Sequence, residues 1–206
     1  MKNSIPGEFP HSTISTLLFK SLSQSELEPL LLPFYISLDF DARRRRFGGG
    51  VSDASIRAHC AGLDLACAVV LVCLGAGGVV AAIELHPLAS GWVQSELALA
   101  DRATADRTTI VAHLLQLAAF AAGARGCTSL VAQSFPHELL ELLRGMGRVR
   151  REDDAVRIEI GDSFLEILAS SEVKCIRVSL GQFTSEKLEI LTPLLSGHLQ
   201  VFRFLP

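Results

Sequence analysis

No Cys-x-x-Cys pair and no pair of histidines at zinc-ligand spacing occurs in these 206 residues. The sequence therefore offers no framework for a structural metal, and none is expected. Cysteine is odd in number and scattered, at Cys60, Cys67, Cys73, Cys127 and Cys175. Three of the five lie in or beside apolar runs, which reads as reduced, buried thiol in a cytoplasmic protein rather than a disulfide scaffold. Charge excess is also lacking: a net charge of −3 and a pI near 6.1 give no overall attraction to nucleic acid, so an anion site has to come from local geometry. The first residues, MKNSIPGEFPHST, lack the apolar core of a signal peptide, and nothing in them directs secretion. No internal repeat and no low-complexity linker divides the chain.

What is present is the composition of one packed body. An apolar content of 49% with 20% charged residues excludes disorder, and 206 residues suit one core better than two. A single domain over residues 1–206 is expected. The uncharged stretch at 65–83, LACAVVLVCLGAGGVVAAI, is about as long as a membrane-spanning helix. Clustered Gly75, Gly77 and Gly78 and the valine-rich flanks instead predict two buried strands joined by a GAGG turn.

Further along, LLFKSL at 17–22 predicts a strand, and SQSELEPLLLPFYISL predicts a helix bent or ended at Pro33. Ser52 or Asp53 caps a second helix after Gly48-Gly49-Gly50. In WVQSELALA, a period of two puts Val93, Ser95, Leu97 and Leu99 on one side and Trp92, Gln94, Glu96 and Ala98 on the other. The period then changes to that of a long helix from Thr108 to Arg125, closed by Gly126. SLVAQS reads as a strand, HELLELLRGMG as a helix and AVRIEI as a strand, while KCIRVSL, SEKLEILTPLL and LQVFRFL read as a strand-helix-strand extension over about 162–206. The order is that of a mixed α/β sheet rather than a regular βαβ repeat.

This succession resembles the GNAT superfamily of acyl-CoA N-acyltransferases over residues 15–161. The segments that carry the resemblance are ISLDFDARRRRFGGGVSDASIRAH, VVAAIEL, WVQSELALAD, AHLLQLAAFAAGARGCTSLVAQS and HELLELLRGMG. It implies a mostly antiparallel central sheet flanked by helices, and acetyl-CoA as co-substrate. It also implies a bulge in the fourth strand that splays it from the fifth, with pantetheine lying along Leu97 and Leu99. The pyrophosphate would sit on the loop into the long helix, where uncapped N–H groups favour an anion.

Family members carry Gln/Arg-x-x-Gly-x-Gly/Ala at that loop, because glycine lets backbone approach phosphate. Here the loop reads DRATADRTTIVAHLL. One register replaces the leading residue by Asp106 and the glycines by Thr109 and Val111. The other puts Arg107 in front, Ile110 at the first glycine and Ala112 at the last. Thr108 and Thr109 offer hydroxyls, and Arg102 and Arg107 offer charge. The alternative is that Thr108 or Asp106 caps the helix and both arginines are solvated.

For chemistry, the resemblance implies Glu96 as the base that deprotonates the acceptor amine, with Glu84 as second choice. The acid role that a tyrosine fills in many relatives has no counterpart, since Tyr35 is the only tyrosine and lies on the first helix. Arg46, Phe47 and Trp92 are candidate acceptor contacts. Apolar side chains at Ile110 and Val111 leave room for a longer acyl group. The expected activity is acetyl transfer to a primary amine on a small molecule or protein, with no nucleic acid and no membrane as partner and homodimerisation left open. The competing function is a catalytically inactive binding or assembly module.

Overall fold

A computed structural model describes residues 17–88, 91–144, 148–152 and 155–160. The expected strand-helix-strand extension, and with it Cys175, lies outside the described residues. Seven strands form one sheet in the order β1-β2-β3-β4-β5-β7-β6. They are β1 (Leu18–Ser21), β2 (Val69–Gly75), β3 (Gly78–Pro87), β4 (Gln94–Asp101), β5 (Ser129–Gln133), β6 (Arg148–Glu152) and β7 (Ala155–Glu159). Every neighbouring pair is antiparallel except β4 with β5.

The 65–83 stretch is the β2–β3 hairpin, with Gly75 paired to Gly78 across a two-residue turn. Gly78 takes φ 102° there, which an L side chain resists. Among the described residues, no helix is long and apolar enough to cross a membrane.

Alternation along each strand gives the sheet two buried faces. Val69, Leu71, Ala81, Ile83, Leu85 and Leu97 pack against α4 (Arg107–Gly123) through Ile110, Val111, Leu114, Leu115 and Ala118. Val70, Val72, Ala82 and Ala100 pack on the opposite face, against helices that precede β2. These are α1 (Leu32–Ser37), α2 (Phe40–Phe47) and α3 (Asp53–Gly62).

Pro33 begins α1 instead of ending it, and a 3-10 turn at Gln24–Glu26 and a π-turn at Leu27–Leu31 precede it. Asp39 caps α2 through Ala42 N–H at 2.7 Å, and Ser52 caps α3 through Ser55 N–H at 3.2 Å. Gly126, at φ 84°, closes α4 with Gly126 N–H on Gly123 C=O and Cys127 N–H on Ala122 C=O, a Schellman-type ending. The segment after β5 is a 3-10 turn (His137–Leu139) and then α5 (Leu140–Arg144). Strand β6 was not expected, because Arg-Val-Arg-Arg-Glu carries almost no apolar signal. Among the described residues it is an edge strand, where charged side chains discourage further pairing.

Candidate acyl-transfer cleft

Strands β4 and β5 run parallel from Gln94↔Ser129 to Leu97↔Ala132 and then part, leaving β4 unpaired on that side from Ala98 to Asp101. The parting does not come from a bulge in β4, whose pairing with β3 runs without a shift from Ala81↔Asp101 to Pro87↔Ser95. The only shift in the β2–β3 ladder lies near its turn, at Cys73/Leu74. Strand β5 simply stops: Gln133 is its last residue, Ser134 turns at φ 51°, and Pro136 leads into the 3-10 turn. A left-handed φ at a residue other than glycine is uncommon and carries a local cost. Here it swings the chain away from β4.

The result is a cleft of about 250 Å³. Glu96, Leu97, Ala98 and Leu99 of β4 form one wall, and the segment from Gln133 to Pro136 forms the other. The C-terminal end of α2 supplies Arg45, Arg46, Phe47 and Gly48. Glu96 is half-buried, and its side chain makes no hydrogen bond or ion pair among the described residues. It is therefore a carboxylate available to a ligand at the point where the strands divide.

Beneath this cleft, on the face covered by α1 to α3, lies a polar cluster built around Glu84. Glu84 is fully buried. Tyr35 Oη donates to Oε1, His59 Nε2 lies 3.1 Å from Oε1, His86 Nε2 lies 2.8 Å from Oε2, and Arg46 Nη2 pairs with Oε2. Burial alone raises the Glu84 pKa, but the Arg46 charge and the two imidazole hydrogen bonds overcome that and hold it well below the usual carboxylate range. An ionised carboxylate only accepts, so both imidazoles present Nε2–H to it. The Arg46 guanidinium lies 4.8 Å from the Phe47 ring centroid and 5.6 Å from that of Tyr35.

Glu84 therefore does not meet the expectation of a second catalytic base. Its lone pairs are occupied and its proton affinity is low. Tyr35 is likewise committed: burial, and then the Glu84 charge, push its phenol well above its ordinary value. It stays a neutral hydrogen-bond donor in the core.

At the start of α4, Asp106 occupies the cap position without a side-chain cap bond. Arg107 N–H is taken by Thr104 C=O at 3.2 Å. The next two amides, of exposed Thr108 and Thr109, are the donors that a helix start leaves unsatisfied. Ile110 and Val111 point into the α4-side core. Their side chains do not line the cleft, which corrects the expectation that they leave room there for a longer acyl group. Ala112 is half-buried on the helix's first turns.

Two arginines expected to supply phosphate charge are placed otherwise. Arg102 Nη2 donates to Ser37 Oγ, and its guanidinium lies 5.5 Å from the Phe34 ring centroid, on the α1 face. Arg107 grips Asp101 through Nε and Nη2 and reaches Glu138 at 2.7 Å through Nη1. That hydrogen bond and charge hold the Glu138 carboxyl below its ordinary value. Trp92 is also not brought to the cleft: it packs on the α4-side core, with the Arg125 guanidinium 5.0 Å from its ring centroid.

The structure thus brings Arg46, Phe47, Glu96, Leu97 and Leu99 to one cleft and sends Glu84, Trp92, Arg102, Ile110 and Val111 elsewhere. Sequence reasoning missed His59 and the cluster that it forms with His86 around Glu84. The signal that could have found part of it is the strand period, which puts Glu84 and His86 on one face of β3, and the register adds Glu96 to that face by pairing Glu84 with Ala98 and His86 with Glu96.

Solved structures share this fold. The GNAT domain of S. lividans PAT is 19% identical, aligned over 68% of this chain and 88% of that one with a TM-score of 0.54. The chain has the GNAT fold. Ribosomal-protein-alanine N-acetyltransferase from Brucella melitensis aligns over 69% of this chain and 99% of its own, at 18% identity and a TM-score of 0.51. Aminoglycoside 6'-acetyltransferase type Ii aligns over 70% and 97%, at 15% identity and a TM-score of 0.51. No family model matches the GNAT-fold sequence, and no curated protein matches it.

Proposed function

We propose that this chain is an acyl-CoA N-acyltransferase that moves an acetyl group from acetyl-CoA to a primary amine by direct attack within a ternary complex. The observation that carries the reading is the parting of β4 from β5 with an unpartnered carboxylate, Glu96, at the fork. The unpaired edge at 98–101 suits the amides of a pantetheine arm, which would add to β4 as a strand does. The free N–H groups of Thr108 and Thr109 suit a diphosphate at the positive end of α4. Co-substrate binding brings an activated carbonyl and a thiolate leaving group.

The chain's own part is positioning and proton transfer. Glu96 takes the proton that the amine loses as its nitrogen bonds to the carbonyl carbon, directly or through one water. The Glu84 cluster keeps Arg46 and Phe47 in place against the acceptor side of the cleft. Amine acceptors such as the aminoglycosides and ribosomal-protein alanine named for two neighbours set the general class, either small molecule or protein. Glu96→Gln tests the assignment in a thiol-release assay with acetyl-CoA and a panel of primary amines. Loss of about 10²-fold or more in kcat supports it, since positioned bases contribute roughly 10²–10⁴-fold. An unchanged kcat removes Glu96 from the chemistry.

A non-catalytic binding module is favoured by one observation. Arg107, the cation nearest the α4 start, is already spent on Asp101 and Glu138. That reading expects no acetyl-CoA binding.

A further inference from the structure

The cleft carries a cation that the polar cluster does not use. Of the four consecutive arginines on α2, Arg43 pairs with Asp53 at 2.7 Å, and Arg46 is spent on Glu84. The side chains of Arg44 and Arg45 make no hydrogen bond or ion pair among the described residues. Arg45 lines the cleft with Glu96, and both arginines line an adjoining hollow with Asp41, Gly48 and Ser134. Arg46, at 7% side-chain exposure, also lines the cleft and keeps a buried Nε–H with no acceptor. No carboxylate among the described residues forms an ion pair with Arg45. Asp41 lies on the hollow without pairing to it, and Glu138, on which the Arg45 charge acts at a distance, is bonded to Arg107.

Arg45 comes from the helix that packs on the face carrying Glu96. Ala42 of α2 packs in the core with Ala100, on the face that carries Glu96, whereas the α4 start packs on the other face through Ile110 and Val111. The Thr108 and Thr109 amides thus start the helix of the opposite face, whereas Arg45 shares its cleft with the Glu96 carboxylate. Resting on the proposed N-acyltransferase reading, we infer that the acceptor is an amine that also bears an acidic group, a carboxylate or phosphate, held by Arg45 with Arg44 while Glu96 takes the amine. A guanidinium matches either oxyanion through paired N–H donors.

The test is calorimetric titration of the full chain saturated with CoA, which blocks turnover, using matched ligands. These are glycine, phenylalanine and lysine against their C-terminal amides, and phosphoethanolamine against ethanolamine. The acid members are expected to bind about tenfold or more tighter than their partners, the effect of one charged hydrogen-bonded contact. Arg45→Ala is expected to erase that preference, and Arg45→Lys to restore part of it. A preference for carboxylates alone or for phosphate alone names the acidic group. Equal affinity of acid and neutral members, or binding by neither, overturns the inference. An equal loss of CoA affinity in Arg45→Ala also overturns it, because the guanidinium then serves the donor's phosphates. Failure of CoA itself to bind the unaltered chain counts against the transferase reading instead, and is read in a separate titration.

Discussion

Replacing Glu84 by glutamine is expected to be among the most damaging single changes in this protein, although it alters one atom. Four groups converge on the carboxylate, from Tyr35, Arg46, His59 and His86, and each presents a hydrogen. A glutamine amide keeps one acceptor oxygen and turns its NH₂ toward donors. It also leaves the Arg46 guanidinium, 7% exposed, without a counter-charge. Breaking one side of a buried ion pair costs about 3–5 kcal/mol, and at about 2–4 °C per kcal/mol for a chain of this size the melting temperature falls by roughly 6–20 °C. Urea unfolding and differential scanning calorimetry both read the change.

The pH dependence fixes the sign. The folded pKa of Glu84 is depressed, so its contribution is present above the ordinary carboxylate value of about 4.3 and is lost as pH falls below it. The gap between wild type and Glu84→Gln is therefore widest near neutrality and closes in acid. A loss below about 1 kcal/mol at pH 7, or a gap that does not change with pH, refutes the cluster as a source of stability.

Arg46→Met should cost about as much as Glu84→Gln, while the double variant should cost less than the sum, because the uncompensated charge disappears with its partner; a double-mutant cycle in urea measures this. Gly126→Ala forces a Cβ into φ 84° and is expected to cost about 1–2 kcal/mol by the same assay. Ser52→Ala removes the α3 cap and should cost about 1 kcal/mol.

Much of the fold could be read from the sequence, because its signals are local. Clustered glycines at 75–78 turned an uncharged stretch into a hairpin, and Gly126 and Ser52 marked helix ends through backbone conformation and capping. Alternation in β4 placed Leu97 and Glu96 on opposite faces. The site was less legible because its contacts join distant segments. Glu84 looked like a candidate base until four partners from α1, α2, α3 and its own strand were seen around it. Arg102 and Arg107 looked like phosphate ligands because they flank the loop, but Ser37, Asp101 and Glu138 compete for them. A glycine-less loop looked obstructed because a sequence does not show that Ile110 and Val111 turn inward. The cleft itself forms where β5 ends at Gln133 and the chain turns at Ser134, with no glycine to announce it.

The central claim is that the fork between β4 and β5, with the amides at the start of α4, still holds an acyl-CoA. Thermal unfolding with and without millimolar acetyl-CoA tests it directly. At about 100 times its Kd, a ligand that binds only the folded chain adds roughly 2.7 kcal/mol, or about 5–11 °C, and pantetheine without the diphosphate should add less. An unfolding curve that acetyl-CoA leaves unmoved would contradict the account and leave a GNAT fold that does not bind the donor.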